Sequence, residues 1–138
     1  MADESTKVSI RRVGKTVGVI SYRVENVSGE SVYMGYELTD AETRRAVYPY
    51  WLECRRKNRG PFTPEVEYDF APSLSALEPG QYFVFDVRNP TAKSQCFLSI
   101  GYTNEKAAKK INSGEIFSTE TDLESSQNEW KRIRVAFK

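Results

Sequence analysis

The segment "ECRRKNRGPF", residues 53–62, sets Arg55, Arg56, Lys57 and Arg59 within five positions. Arg44 and Arg45 lie just upstream, and Glu53 is the single acid between residues 44 and 59. Tyr48, Tyr50 and Trp51 separate the two basic groups, and Phe62 follows the second. Guanidinium forks bind carboxylates, phosphates and sulfates bidentately, and neighbouring rings can stack on a ligand. Gly60 and Pro61 predict a tight turn that lifts these side chains to a loop tip. Arg44, Arg45, Tyr48, Tyr50, Trp51, Arg55, Arg56, Lys57, Arg59 and Phe62 are therefore the candidate ligand-binding residues. The competing reading is a solvated connection whose charges keep a sheet edge from pairing with another chain.

Other residue groups have chemical potential too. In "AVYPYWLEC", Tyr48, Tyr50, Leu52 and Cys54 share one face, while Val47, Pro49, Trp51 and Glu53 share the other. With Leu52 inward, Trp51 faces out to stack on a sugar, a base or a partner side chain, unless a loop or helix covers it. Glu65, Glu67 and Asp69 recur at every second position of "PEVEYDF". Such a row could ligate calcium or share a proton, but strand alternation alone makes it the wet side of a strand. Cys54 is in phase with Leu52, and Cys96 with Leu98 and Ile100, so both thiols point to the core. They bridge if their Cα atoms lie within about 7 Å, and otherwise remain buried thiols.

Absences narrow the chemistry further. The chain contains no histidine, which removes His bases, Ser-His-Asp and Cys-His pairs and His-ligated metals. Two cysteines 42 positions apart cannot build a Cys/His zinc site. "VGKTVG" holds Gly14, Lys15 and Thr16, but Ser9 stands where a phosphate loop needs glycine, and a strand follows. Asn26-Val27-Ser28 is a glycosylation sequon, meaningful in a eukaryotic secretory setting. The acidic stretch 118–129, with Glu120, Asp122 and Glu124, is read as a loop that could fold over the basic patch and mask it.

These groups must be positioned by strands. At 138 residues with a net charge of +1, the chain suits a single domain over 1–138 and argues against a general nucleic-acid binder. No run approaches the roughly 18 apolar residues that span a bilayer. "MADESTKVSI" lacks a signal-peptide pattern, so the expected location is cytoplasmic for a complete chain and extracytoplasmic or secreted if a leader has been removed. Period-two alternation marks strands at 7–13, 16–27, 31–38, 45–54, 66–70, 77–90, 94–103 and 131–138. Pro49 points to an edge strand or bulge within 45–54. Asn104 can cap a short helix, "EKAAKKINS", with Ala107, Ala108 and Ile111 on one side and Gly114 as its stop.

"ISYRVENVSGESVYM" resembles the early hairpin of immunoglobulin-like or fibronectin-like sandwiches, and "LEPGQYFVFDV" is similar to the entry of a middle strand in the same group. With "CFLSIGYT", the resemblance covers about residues 16–103 and implies architecture, not function. The helix and acidic loop over 104–130 depart from it. The expectation is an all-β fold: a two-layer antiparallel β-sandwich of about seven to eight strands, immunoglobulin-like, with one short helix near 104–113.

On this reading the chain is a non-catalytic binding module without a cofactor or metal. It would use the 44–62 edge and loop to contact a small anionic ligand or a protein partner. An accessory domain assembling by strand-edge pairing, as an edge-strand dimer for instance, is the first alternative. A carboxylate-based hydrolase or calcium-binding domain built on Glu65, Glu67 and Asp69 is the second.

Overall fold

A computed structural model describes residues 7–66, 74–88, 94–113 and 130–137. Its opening hairpin joins β1 (Val8–Thr16) to β2 (Val19–Asn26) through Val17 and Gly18. Gly18 takes φ +78°, a left-handed conformation that glycine adopts without a Cβ clash. Strands expected over 7–13 and 16–27 imply a turn at 14–15; the turn lies instead at Val17–Gly18, and the strand shifts register between Arg12 and Gly14.

Among the described residues nine further strands follow: β3 (Val32–Met34), β4 (Glu37–Asp40), β5 (Arg45–Val47), β6 (Trp51–Arg56), β7 (Arg59–Val66), β8 (Ser75–Leu77), β9 (Tyr82–Arg88), β10 (Ser94–Thr103) and β11 (Trp130–Ala136). The helix α1 (Glu105–Asn112) lies between the last two. One sheet runs β1-β2-β9-β5-β4; the other runs β7-β6-β10-β3-β8, with β11 on the remaining edge of β10. Among the described residues all pairings are antiparallel except β5 with β9.

The excess of strands over the expected seven or eight has a physical cause: the chain changes sheets. The segment 31–38, expected as one strand, passes from β3 in the second sheet to β4 in the first across Gly35 and Tyr36. The segment 45–54 returns from β5 to β6 across Tyr48, Pro49 and Tyr50. Pro49 has no N–H for a ladder and lies outside both strands, so it separates two strands instead of bulging one. The β4–β5 hairpin is thus lent to the first sheet from between β3 and β6, which both belong to the second.

Tyrosines hold both crossings. Tyr36 stacks on Phe83 of β9 with centroids 4.5 Å apart, and its hydroxyl donates to the Ala76 carbonyl of β8 at 2.6 Å. Tyr48 packs on Phe83 and Phe85 at 5.5 and 5.2 Å, and its hydroxyl meets the Gly101 backbone of β10. Each ring therefore rests on the first sheet while its polar end is satisfied by the second.

Alternation places Ile20, Tyr22 and Val24 of β2, Phe83, Phe85 and Val87 of β9, Leu52 and Cys54 of β6, and Leu98 and Ile100 of β10 in one buried cluster shared by both sheets. Ile133, Val135 and Phe137 pack against its margin, as their common face in the sequence implies. The Asn104 side chain caps α1 by accepting from the Ala107 amide at 2.9 Å, and Ala107 and Ala108 are buried. A second anchor is Asn112, which hydrogen-bonds both the amide and carbonyl of Leu74.

Cys54 and Cys96 face each other on β6 and β10, with Cα atoms 4.1 Å apart, and are bridged. Asn26 does not offer a glycan acceptor in the folded state: it is 0% exposed. Its Nδ2 donates to the Glu30 and Leu77 carbonyls at 2.7 and 2.8 Å, and its Oδ1 accepts from the Ser28 amide and hydroxyl at 2.9 and 2.7 Å. The Asn26 side chain ties β2 in one sheet to β8 in the other.

Replacing Asn26 by Ala leaves those buried groups without partners and should lower unfolding free energy by about 3 kcal/mol, read from urea denaturation. Reducing the Cys54–Cys96 bridge, which closes a separation of 42 residues, should cost roughly 4 kcal/mol in the same measurement.

Candidate functional site: a braced basic hairpin

The strand crossing at Pro49 divides the basic-aromatic segment into two places. Arg44, Arg45, Tyr48 and Tyr50 belong to the first sheet and its crossing, whereas Arg55, Arg56, Lys57, Arg59 and Phe62 belong to the β6–β7 hairpin of the second.

Several of the expected ligand residues have structural work instead. Arg44 is a non-glycine residue at φ +59°, held there because its carbonyl accepts from the Val84 amide and its Nε donates to the Tyr82 carbonyl, both at 2.9 Å. It joins β5 to β9. Arg45 pairs with Asp86 at 3.0 Å. Tyr48 is buried, and Tyr50 tilts against Phe85 at 5.9 Å. Trp51 is half-buried, so it is not the exposed stacking platform that the sequence allowed.

The hairpin itself is better suited to contact. Arg56 and Arg59 are register partners, so the turn is Lys57–Asn58, upstream of the expected Gly60–Pro61. Asn58 takes φ +60°, which its short polar side chain tolerates, and Gly60 takes φ +68° inside β7. Gln95 of β10 braces the turn: its Oε1 accepts from Arg55 Nε at 2.8 Å and from the Asn58 amide at 3.2 Å.

Below the turn, cations and rings interleave on the outer face. The Arg55 guanidinium lies 4.8 Å from the Phe62 centroid. Phe62 meets Phe97 edge-on at 5.0 Å, and Arg134 of β11 lies over Phe97 at 3.9 Å. Arg134 is also paired with Glu53 at 2.5 Å. Arg55 and Phe62 therefore form a scaffold rather than a free contact. Arg56, Lys57 and Arg59 are exposed, with no ion pair among the described residues. They are three cations on a fixed base.

Gln95, Phe97 and Arg134 were not in the sequence-derived set. Their signal was present in phase alone: Phe97 alternates out of step with Cys96 and Leu98, and Arg134 with Ile133 and Val135. Nothing local says that β6, β10 and β11 are neighbours. Of the carboxylate row, Glu67 and Asp69 lie outside the described residues, as do the Glu65 side chain and the 118–129 loop. Among the described residues no group of three or more Asp, Glu, Cys or His side chains gathers to hold a metal ion. No helix among them is long and apolar enough to cross a membrane.

Burial pushes the Tyr48 hydroxyl up to about 12, opposed by its hydrogen bond with Gly101. A folded-state value above the unfolded one near 10 means that stability is intact below pH 10 and falls as pH rises through 12. The loss should be on the order of 3 kcal/mol, and Tyr48→Phe should abolish much of it while costing about 1 kcal/mol at neutral pH; urea titrations across that range read both effects.

No family model matches the chain, nor does any curated protein or solved structure, so its own geometry is what bears on its function.

Proposed function

We propose that the protein is a non-catalytic binding module whose β6–β7 hairpin engages an acidic surface of a protein partner. The observation that carries this reading is the trio Arg56, Lys57 and Arg59, exposed and without acid partners among the described residues, on a turn fixed by Gln95. A turn already ordered loses little conformational freedom on binding, which favours recognition. Exposed cations steer an acidic partner from a distance within the screening length of the buffer.

We read the scaffold as an immunoglobulin-like two-layer sandwich forming a single domain. Two sheets that share one core support it. Its bridge differs from that of antibody domains, since Cys54–Cys96 joins neighbours in one sheet where theirs joins two sheets. Assembly through strand edges is less well supported. The marginal strand β7 carries Pro61 and Pro64, which have no N–H to donate, and marginal β1 carries Arg11, Arg12 and Lys15.

Poly-L-glutamate titrated calorimetrically into the protein at low salt should bind saturably and weaken as salt rises. Changing Arg56, Lys57 and Arg59 together to Ala should weaken it about tenfold or more without shifting the melting temperature. Arg55 is kept, because it braces the hairpin. Unchanged affinity in that variant would overturn the proposal.

A further inference from the structure

The first sheet has a gap. β9 is paired with β2 along its whole length, from Tyr82 opposite Glu25 to Arg88 opposite Val19. On its other side β9 meets β5 only at Val84, opposite Arg45. Beyond that point β5 leaves to make the crossing at Tyr48–Tyr50, and among the described residues Asp86 and Arg88 have no strand partner on that side. The gap is a cavity of about 440 Å³, within the range of small-molecule sites.

Its lining has a consistent chemistry. Phe85, Tyr48 and Tyr50 form an aromatic floor, and the Tyr48 hydroxyl is already committed to Gly101. At the rim stands Val47, an apolar side chain left 55% exposed. Three charged residues surround the mouth: Arg45, Asp86 and Arg88. Asp86 Oδ1 accepts from both Ser21 Oγ at 2.6 Å and Arg45 Nη1 at 3.0 Å, so those two charges compensate each other. Arg88 is exposed and has no ion pair among the described residues.

We propose that this gap binds a small aromatic monocarboxylate, its flat apolar body against Tyr50 and Val47, over the buried Phe85, and its carboxylate against Arg88. A guanidinium fork matches a carboxylate bidentately, and the floor supplies dispersion and ring contact. With Asp86 and Arg45 compensating each other, Arg88 is left as one unpaired cation at the mouth, which places the preference on a single negative charge. A neutral ring compound leaves Arg88 unanswered and binds more weakly. The site lies on the opposite sheet from the basic hairpin and does not depend on the hairpin's role.

The test uses 2-naphthoate as the probe and 2-naphthalenemethanol as its neutral counterpart, titrated into the ¹⁵N-labelled full chain. Saturable amide shifts confined to Ala46–Tyr50 and Phe85–Arg88 are expected. Arg88→Gln should weaken 2-naphthoate about tenfold while leaving the neutral compound unchanged, as loss of one charge-assisted pair requires. Val47→Asp, a change at an exposed rim position, should weaken the acid selectively as well, and serves should Arg88→Gln fail to fold. Absent shifts, shifts centred on the β6–β7 hairpin, or equal affinity of 2-naphthoate for wild type and variant would overturn the assignment.

Discussion

Two tyrosine hydroxyls and one phenylalanine ring decide how the halves of this molecule are joined. Tyr36 and Tyr48 stand where the chain leaves the second sheet and where it returns, and both rings close on Phe83. A buried phenolic oxygen must find a partner, and in each case that partner is backbone of the opposite sheet, at Ala76 or Gly101. Moving the β4–β5 hairpin off the first sheet would therefore forfeit ring contact and strand both hydroxyls together. The same pinning sets where β6 begins, and with it the register that brings Cys54 opposite Cys96 and Glu53 beside Arg134.

That register gives the basic hairpin its character. A two-residue turn at the end of an isolated hairpin is poorly ordered, since two strands alone are marginal in water. Here β6 is bonded to β10 along its length, the bridge ties the pair, and Gln95 reaches from β10 into the turn. Guanidinium groups over Phe62 and Phe97 cover the rings without withdrawing every cation from solvent. Arginines of one short segment thus divide by role: Arg44 holds the backbone of β9 and Arg55 holds Gln95, whereas Arg56 and Arg59 face outward.

Much of the inward face was legible from periodicity. Leu52, Cys54, Cys96, Leu98 and Ile100 point inward as their phase demands, and the Asn104 cap follows from residue type and spacing alone. What local pattern cannot encode is which sheet a strand joins. The segment 31–38 reads as one strand and Pro49 as an irregularity within another because propensity acts over a few residues, whereas the choice of sheet is made by contacts with Phe83, distant in the chain. The candidate site suffered the same limit. Closeness in sequence put Arg44 beside Arg59, yet the crossing sends them to different sheets, and Gln95 and Arg134 arrive from strands far along the chain.

The burial of Asn26 sets up a race between two processes during synthesis. Its Asn-Val-Ser triplet is visible to a glycosyltransferase only while the nascent chain is extended, because closure of β2 against β8 removes the amide from reach. A sugar attached first would occupy the position of the Leu77 and Glu30 carbonyls and keep the sheets apart. In a eukaryotic secretory pathway the fold and the modification are mutually exclusive fates of the same side chain.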